Sequence, residues 1–285
     1  MRQLRALRLH LCGRGGTCMT RYAGMLVNYL LYTAMIIMAI LLYNFIVNPI
    51  FDWGQFGKGD QLPAQVFIVL VLSIVLSRIA YSLKYKILKT PSPSSFIQLH
   101  QYLPIRLPQA IHMITVGLAF ALMFASVMKF LLHQGISELE NFTAQYSNVA
   151  AFYLIASAAL NTALELVLFM GIMFNEARRS VPSFWAMLVI SLIIAALQPG
   201  GIAMQLLGIP LGFLYGYMYS KLKSIWYVIL IGCSFNVLFF TMVKTSLFGA
   251  FGDMSDITLL IIAGVSAIYM IISTVWYSKR LGRAA

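Results

Sequence analysis

The stretch Leu160-Asn-Thr-Ala-Leu-Glu-Leu-Val-Leu-Phe-Met-Gly171 decides how this chain is read. It belongs to a membrane interior by its Leu, Val, Phe and Met content, yet Glu165 stands in the middle of it. A carboxyl at that depth costs several kcal/mol unless it is protonated or meets a polar partner. Glu165 therefore marks either a reaction centre or the remains of one. Asn161, four residues earlier, shares its helical face.

The rest of the chain has the same character. Of 285 residues 61% are apolar and 10% charged, against roughly 25% charged in soluble domains. Apolar runs at about 20 residues per crossing fall at 25–47, 64–83, 111–131, 149–174, 184–198, 202–220, 226–243 and 257–277. The expected fold is an all-α polytopic membrane protein of about eight transmembrane helices in one bundle, the fifth of them short.

Charge placement sets the expected orientation, because short loops rich in Lys and Arg stay in the cytoplasm. Sixteen of the 20 basic residues fall in alternate segments: the start of the chain, Lys84 to Arg106, Arg178 and Arg179, Lys221 and Lys223, and Lys279 to Arg283. The other loops carry Asp52, Asp60, Glu138, Glu140, Asp253 and Asp256. Eight spans with both termini cytoplasmic satisfy this alternation, in a cell membrane. The domain expectation is a basic leader over 1–24, one transmembrane domain over 25–278 and a tail over 279–285. Met19 offers a second start for translation.

The net charge of +12 is explained by loops meeting anionic lipid, so nucleic acid is not an expected partner. Cys12, Cys18 and Cys233 form no framework, and no cofactor or metal is expected. Glu138 and Glu140 read as solvated acids. Ser94 to Tyr102, between prolines, reads as a short surface helix or a plain link. Gln198-Pro-Gly-Gly201 breaks the fifth run, and such a break at membrane depth faces a cavity or marks its outer mouth. Gly208, Gly212 and Gly216, four apart, make a small-residue face for close helix contact.

Polar residues gather in three spans: Asn161 and Glu165 in the fourth, Ser191 with Gln198 in the fifth, Ser234 and Asn236 in the seventh. If these helices are neighbours, Glu165, Gln198 and Asn236 close a polar cluster, each lowering the cost of burying the others. The plain structural expectation is a neutral Glu165 hydrogen-bonded to Asn161 or Asn236.

The order and spacing of these residues resemble the CPBP family of intramembrane proteases, which includes the CAAX prenyl endopeptidases and bacteriocin-linked proteins. Members carry Glu-Glu-x-x-x-Arg followed by Gly, then Phe-x-x-x-His, then His-x-x-x-Asn. Here Glu165 takes the first glutamate, Leu166 the second and Met170 the arginine, with Phe169 and Gly171 kept. Ile194 and Gln198 stand at the second motif, and Gly232 and Asn236 at the third. The connector from Gly208 to Leu230 is similar to the family's, and the likeness runs over about 154–240.

The resemblance implies a family-like bundle, with Glu165, Gln198 and Asn236 at the equivalents of a hydrolytic site. Hydrolysis there needs a base to activate water and imidazoles, with or without a metal, to stabilise charge. Gln198 and Asn236 could supply one amide donor each, a weak oxyanion clamp. None of His10, His100, His112 and His133 stands at family spacing, although His112 could enter a cytoplasm-facing cavity. The leading expectation is a catalytically degenerate, intramembrane-protease-like protein that scaffolds or regulates a membrane protein or membrane-associated peptide. An active endopeptidase of the CAAX type or acting on leader peptides is the alternative, and a transporter, suggested by the broken run and buried acid, is the third.

Overall fold

A computed structural model describes residues 18–51, 61–87, 95–136, 144, 146, 149–198 and 201–282. The leader before Cys18, the outer-loop acids Asp52, Asp60, Glu138 and Glu140, and Pro199 and Gly200 lie outside the described residues.

The described residues form an all-α bundle. Helix α1 covers Cys18–Leu42 and continues through a π-helical turn, Tyr43–Val47, into Asn48–Ile50. The wide turn comes just ahead of Pro49, whose ring nitrogen cannot donate and whose ring crowds the preceding turn. Then follow α2 (Gln61–Ile87), a short α3 (Phe96–Leu99) and α4 (Leu107–His133). Pro108 stands at the start of α4, where a missing N–H costs nothing, and Arg106 N–H donates to Gln109 Oε1 at 2.9 Å.

Helix α5 (Ala151–Leu166) runs into a π-helical segment, Val167–Phe174, and a last turn, Asn175–Arg178. Helices α6 (Ser183–Ala196), α7 (Gly201–Leu222), α8 (Ile225–Lys244), α9 (Ser246–Gly252) and α10 (Asp256–Gly282) complete the order.

Among the described residues seven helices are long and apolar enough to cross a membrane. The fifth expected crossing, α6, has 14 residues. At 1.5 Å per residue that is about 21 Å, short of a hydrocarbon core of about 30 Å. Gly201, with φ of 84°, adopts the left-handed conformation that starts α7. Large apolar side chains point outward, among them Ile257, Ile261, Val265 and Ile272 on α10, as a lipid-facing surface requires.

Helix pairs approach through small residues. A Cβ on Gly212 would lie 2.6 Å from Ser191 Cα, on Gly208 3.1 Å from Ala195 Cα, and on Gly216 2.7 Å from Met187 Cγ. The three glycines thus face 195, 191 and 187 in turn, which is the antiparallel register of α6 on α7 and meets the packing expected of them. Without a hydrophobic force inside lipid, such close backbone approach is what holds helices together. Gly117 does the same for α4, because a Cβ there would collide with Ser234 Oγ and the Ile231 carbonyl of α8. Beside it Phe120, Phe124, Phe235 and Phe239 pack edge to face, with centroids 5.1 to 5.4 Å apart across the two helices.

The bundle has two unlike ends. At one end lie the helix termini bearing Lys84, Lys86, Arg106, Arg178, Arg179, Lys221, Lys223, Lys279 and Arg280. At the other, His133 Nδ1 meets Asp256 Oδ1 at 2.8 Å, and His133 Nε2 donates to the Gly252 carbonyl at 3.0 Å.

Candidate functional site

Glu165, Gln198 and Asn236 line one cavity of about 450 Å³, although they come from α5, the end of α6 and α8. Asn161, Thr162, Ser157, Ser73 and Tyr215 add polar groups, and the rest of the wall is aliphatic and aromatic. Ser191 and Ser234 are not part of it. Ser191 Oγ donates to the Met187 carbonyl and faces Gly212, while Ser234 Oγ donates to the Leu230 carbonyl beside Gly117.

The expected bridge from Glu165 to Asn161 or Asn236 is not formed. Asn161 Nδ2 instead donates to the Pro63 carbonyl of α2 at 3.1 Å. Asn236 Nδ2 donates to Thr162 Oγ1 at 2.7 Å and to the Gly232 carbonyl at 3.2 Å, so both of its N–H bonds are engaged. Asn161 Oδ1 is buried with no partner. Among the described residues no hydrogen bond reaches the Glu165 carboxyl, which faces the cavity. The two-amide clamp expected from Gln198 and Asn236 therefore lacks its second donor.

At Gly232, the position that matches a histidine in the family pattern, there is no vacant space. A Cβ there would lie 2.7 Å from Thr162 Cγ2, 2.8 Å from Leu166 Cδ1 and 2.9 Å from Tyr215 Oη. Tyr215 stands at that corner, with its buried hydroxyl left without a hydrogen-bond partner.

Among the described residues lining the cavity none is His, Lys or Arg. His112 lies elsewhere, between α4 and α10, with Nε2 3.0 Å from Ser273 Oγ and its ring stacked on Tyr277 at 4.4 Å. The suggestion that it enters the site fails because α10 covers it. Among the described residues no group of three or more His, Cys, Asp or Glu is placed to hold a metal ion. The donor set around Glu165, one carboxyl with amides and hydroxyls, does not fit the His, Cys and carboxylate shell of a zinc centre.

The cavity's rim includes Val66, 41% exposed, and Leu197, 52% exposed. Its mouth therefore lies between the start of α2 and the end of α6, toward the end of the bundle opposite Lys84, Arg179 and Lys221. Gln198 itself lines the cavity, while Pro199 and Gly200 of the break lie outside the described residues. A cavity facing the basic end, which the reading of His112 assumed, is not what the helices build.

Sequence reasoning missed a second polar site at the basic end. Glu176 is fully buried and ion-paired with Lys84 of α2 and Arg179. Asn175 Nδ2 donates to the Gly171 carbonyl at 3.1 Å and also reaches the Leu99 carbonyl and Tyr219 Oη. His100, expected in an exposed loop, is 2% exposed and packs on Gly171. Its Nδ1 donates to the Phe96 carbonyl at 2.7 Å and its buried Nε2 has no partner. Burial holds this imidazole below its ordinary pKa. The Ser94 to Tyr102 segment thus contains the short helix anticipated for it, tucked under the bundle end. Two signals were present: the Glu176 to Arg179 spacing of three, and the eleven residues from Glu165 to Glu176, about three helical turns.

A protein-family model described as "Rce1-like: Type II CAAX prenyl endopeptidase Rce1-like" matches residues 147–238. That span holds α5 to α7 and most of α8, including Glu165, Gln198 and Asn236. No curated protein and no solved structure matches the chain. The chain is thus an all-α polytopic membrane protein whose cavity-forming segment is similar to the Rce1-like CAAX endopeptidases.

Proposed function

We propose that this protein is a catalytically degenerate relative of the CAAX-type intramembrane endopeptidases, and that it scaffolds or regulates a partner protein or peptide in the cell membrane. The observation that carries this reading is the environment of Glu165. Among the described residues the carboxyl lies in a cavity with no His, Lys or Arg lining it, and Thr162, Leu166 and Tyr215 crowd Gly232, which supports this reading. A binding scaffold needs shape, whereas hydrolysis needs charge placed where it develops in the transition state.

In this reading the chain crosses the membrane eight times. Helix α6 is the short crossing, the Lys- and Arg-rich end is cytoplasmic by the positive-inside rule, and both termini lie there. The partner meets the lipid-facing helix surfaces, since the cavity is too small for a transmembrane segment.

The family match over 147–238 favours one rival, a working endopeptidase with Glu165 as base. Affinity capture from membranes with wild type and Glu165→Gln separates the two. One stable partner retained by both supports a scaffold. Substrates accumulating on the mutant, or loss of cleavage of a co-expressed membrane protein in E165Q at normal expression, would establish the enzyme.

A further inference from the structure

The cavity wall has an imbalance that its membrane setting makes costly. The Glu165 carboxyl faces the cavity with no hydrogen bond from the described residues, and Asn161 Oδ1 is buried without a donor. Two hydroxyls are turned away, Ser73 Oγ to the Val69 carbonyl at 2.7 Å and Ser157 Oγ to the Leu154 carbonyl at 3.0 Å, which leaves the Tyr215 hydroxyl and the Gln198 amide among the donors on the described wall. Both amide hydrogens of Asn236 are engaged as well. Among the described residues the lining thus carries one carboxyl and no cation to meet it, and the greater part of the rest is hydrocarbon. Polar groups left without partners at membrane depth cost more than they do near water.

We infer that the cavity is a binding site for a membrane-soluble amine, a small single-chain amphiphile whose nitrogen meets Glu165 and Asn161 and whose tail lies along the apolar wall. An amine suits this acid in either protonation state: an ammonium donates to a carboxylate, and a neutral amine accepts from a carboxylic acid. A second N–H is then available for Asn161 Oδ1. The size fits a ligand of this class, since small-molecule pockets run from about 300 to 1,000 Å³ and this one is about 450 Å³. One turn of a helix about 10 Å across already fills roughly 420 Å³, which excludes a spanning peptide. Entry is lateral, between Val66 and Leu197, where a molecule dissolved in the bilayer meets the mouth without crossing the protein. The inference goes beyond the scaffold reading and stands independently of it, because it concerns the cavity and not the partner-bearing surface.

Native mass spectrometry of the full chain in phosphatidylcholine nanodiscs, titrated with dodecylamine, dodecanol and dodecanoic acid, tests it. One dodecylamine per chain should bind saturably, dodecanol at least tenfold more weakly, and dodecanoic acid not at all. Glu165→Gln should weaken the amine at least tenfold, and Ala158→Phe, which fills the cavity while leaving the carboxyl, should abolish it. Binding of the acid as strong as that of the amine, or an E165Q affinity within threefold of wild type, would overturn the inference. If E165Q does not fold, A158F decides: amine binding that survives a filled cavity refutes the site. Loss of the amine in E165Q with the captured partner unchanged would separate this inference from the scaffold reading.

Discussion

Substitution of Gly232 by alanine tests whether the corner where the family pattern carries a histidine has been closed. The added methyl would lie 2.7, 2.8 and 2.9 Å from Thr162 Cγ2, Leu166 Cδ1 and Tyr215 Oη. Carbon atoms pack best at about 3.5 to 4.0 Å, so each neighbour must retreat by roughly 0.6 to 1.3 Å. None is free to do so. Thr162 is tied to Asn236 at 2.7 Å, while Leu166 and Tyr215 are almost completely buried. Overpacking of this kind costs about 1–3 kcal/mol, and three simultaneous clashes place Gly232→Ala toward the upper end. At about 1.4 kcal/mol per factor of ten, the folded fraction relative to unfolded should fall by one to two orders of magnitude. Thermal unfolding in nanodiscs measures this, with Gly264→Ala as the control because no atom lies within 4 Å of a Cβ there. Gly232→His should be worse than alanine, and adding Tyr215→Ala should recover part of the loss, a coupling that a double-mutant cycle resolves. A G232A protein as stable as G264A would refute the filled corner and reopen the case for a functional site.

Three further outcomes follow from the packing and the buried charges. Gly117→Ala should be at least as damaging as Gly232→Ala, up to about 3 kcal/mol, because the Ile231 carbonyl it meets is helix backbone that cannot swing aside; unfolding curves and yield of monodisperse protein report it. Glu176→Gln leaves Lys84 and Arg179 without their anion, and loss of one partner of a buried pair costs up to about 3–5 kcal/mol; the loss should be smaller here, because those two side chains are 18% and 32% exposed, and hydrogen exchange should rise at the basic ends of α2 and α5. His100, held by burial below its ordinary value of 6.5, makes stability pH-dependent. The unfolded chain takes up the proton first as pH falls, so the contribution is complete above about 6.5 and is lost as pH drops from there toward the depressed folded value. Melting temperature in nanodiscs should therefore fall between pH 7.5 and 5.5, and His100→Gln should flatten that slope.

The sequence by itself determined the membrane character, the eight apolar runs and the glycine face of α7, because hydrocarbon solvent imposes run length and close packing imposes small residues at a spacing of four. It also singled out Glu165, Gln198 and Asn236 as a polar cluster on the condition that their helices are neighbours, since polar residues inside apolar runs have few places to go, and the structure brings all three to one cavity. What it could not decide was how their hydrogen bonds are distributed. Asn161 turns to Pro63 and Asn236 to Thr162 because those acceptors arrive from α2 and α5 only once the helices have packed. The same holds for Glu176 and His100: a carboxylate beside two arginines and an imidazole in a proline-bounded loop read as solvated in one dimension. Tertiary contact with Lys84 and Gly171 buries them. Local chemistry along the chain fixes which groups must be hidden from lipid, but the partner that hides each one is chosen by the crossing of helices far apart in sequence.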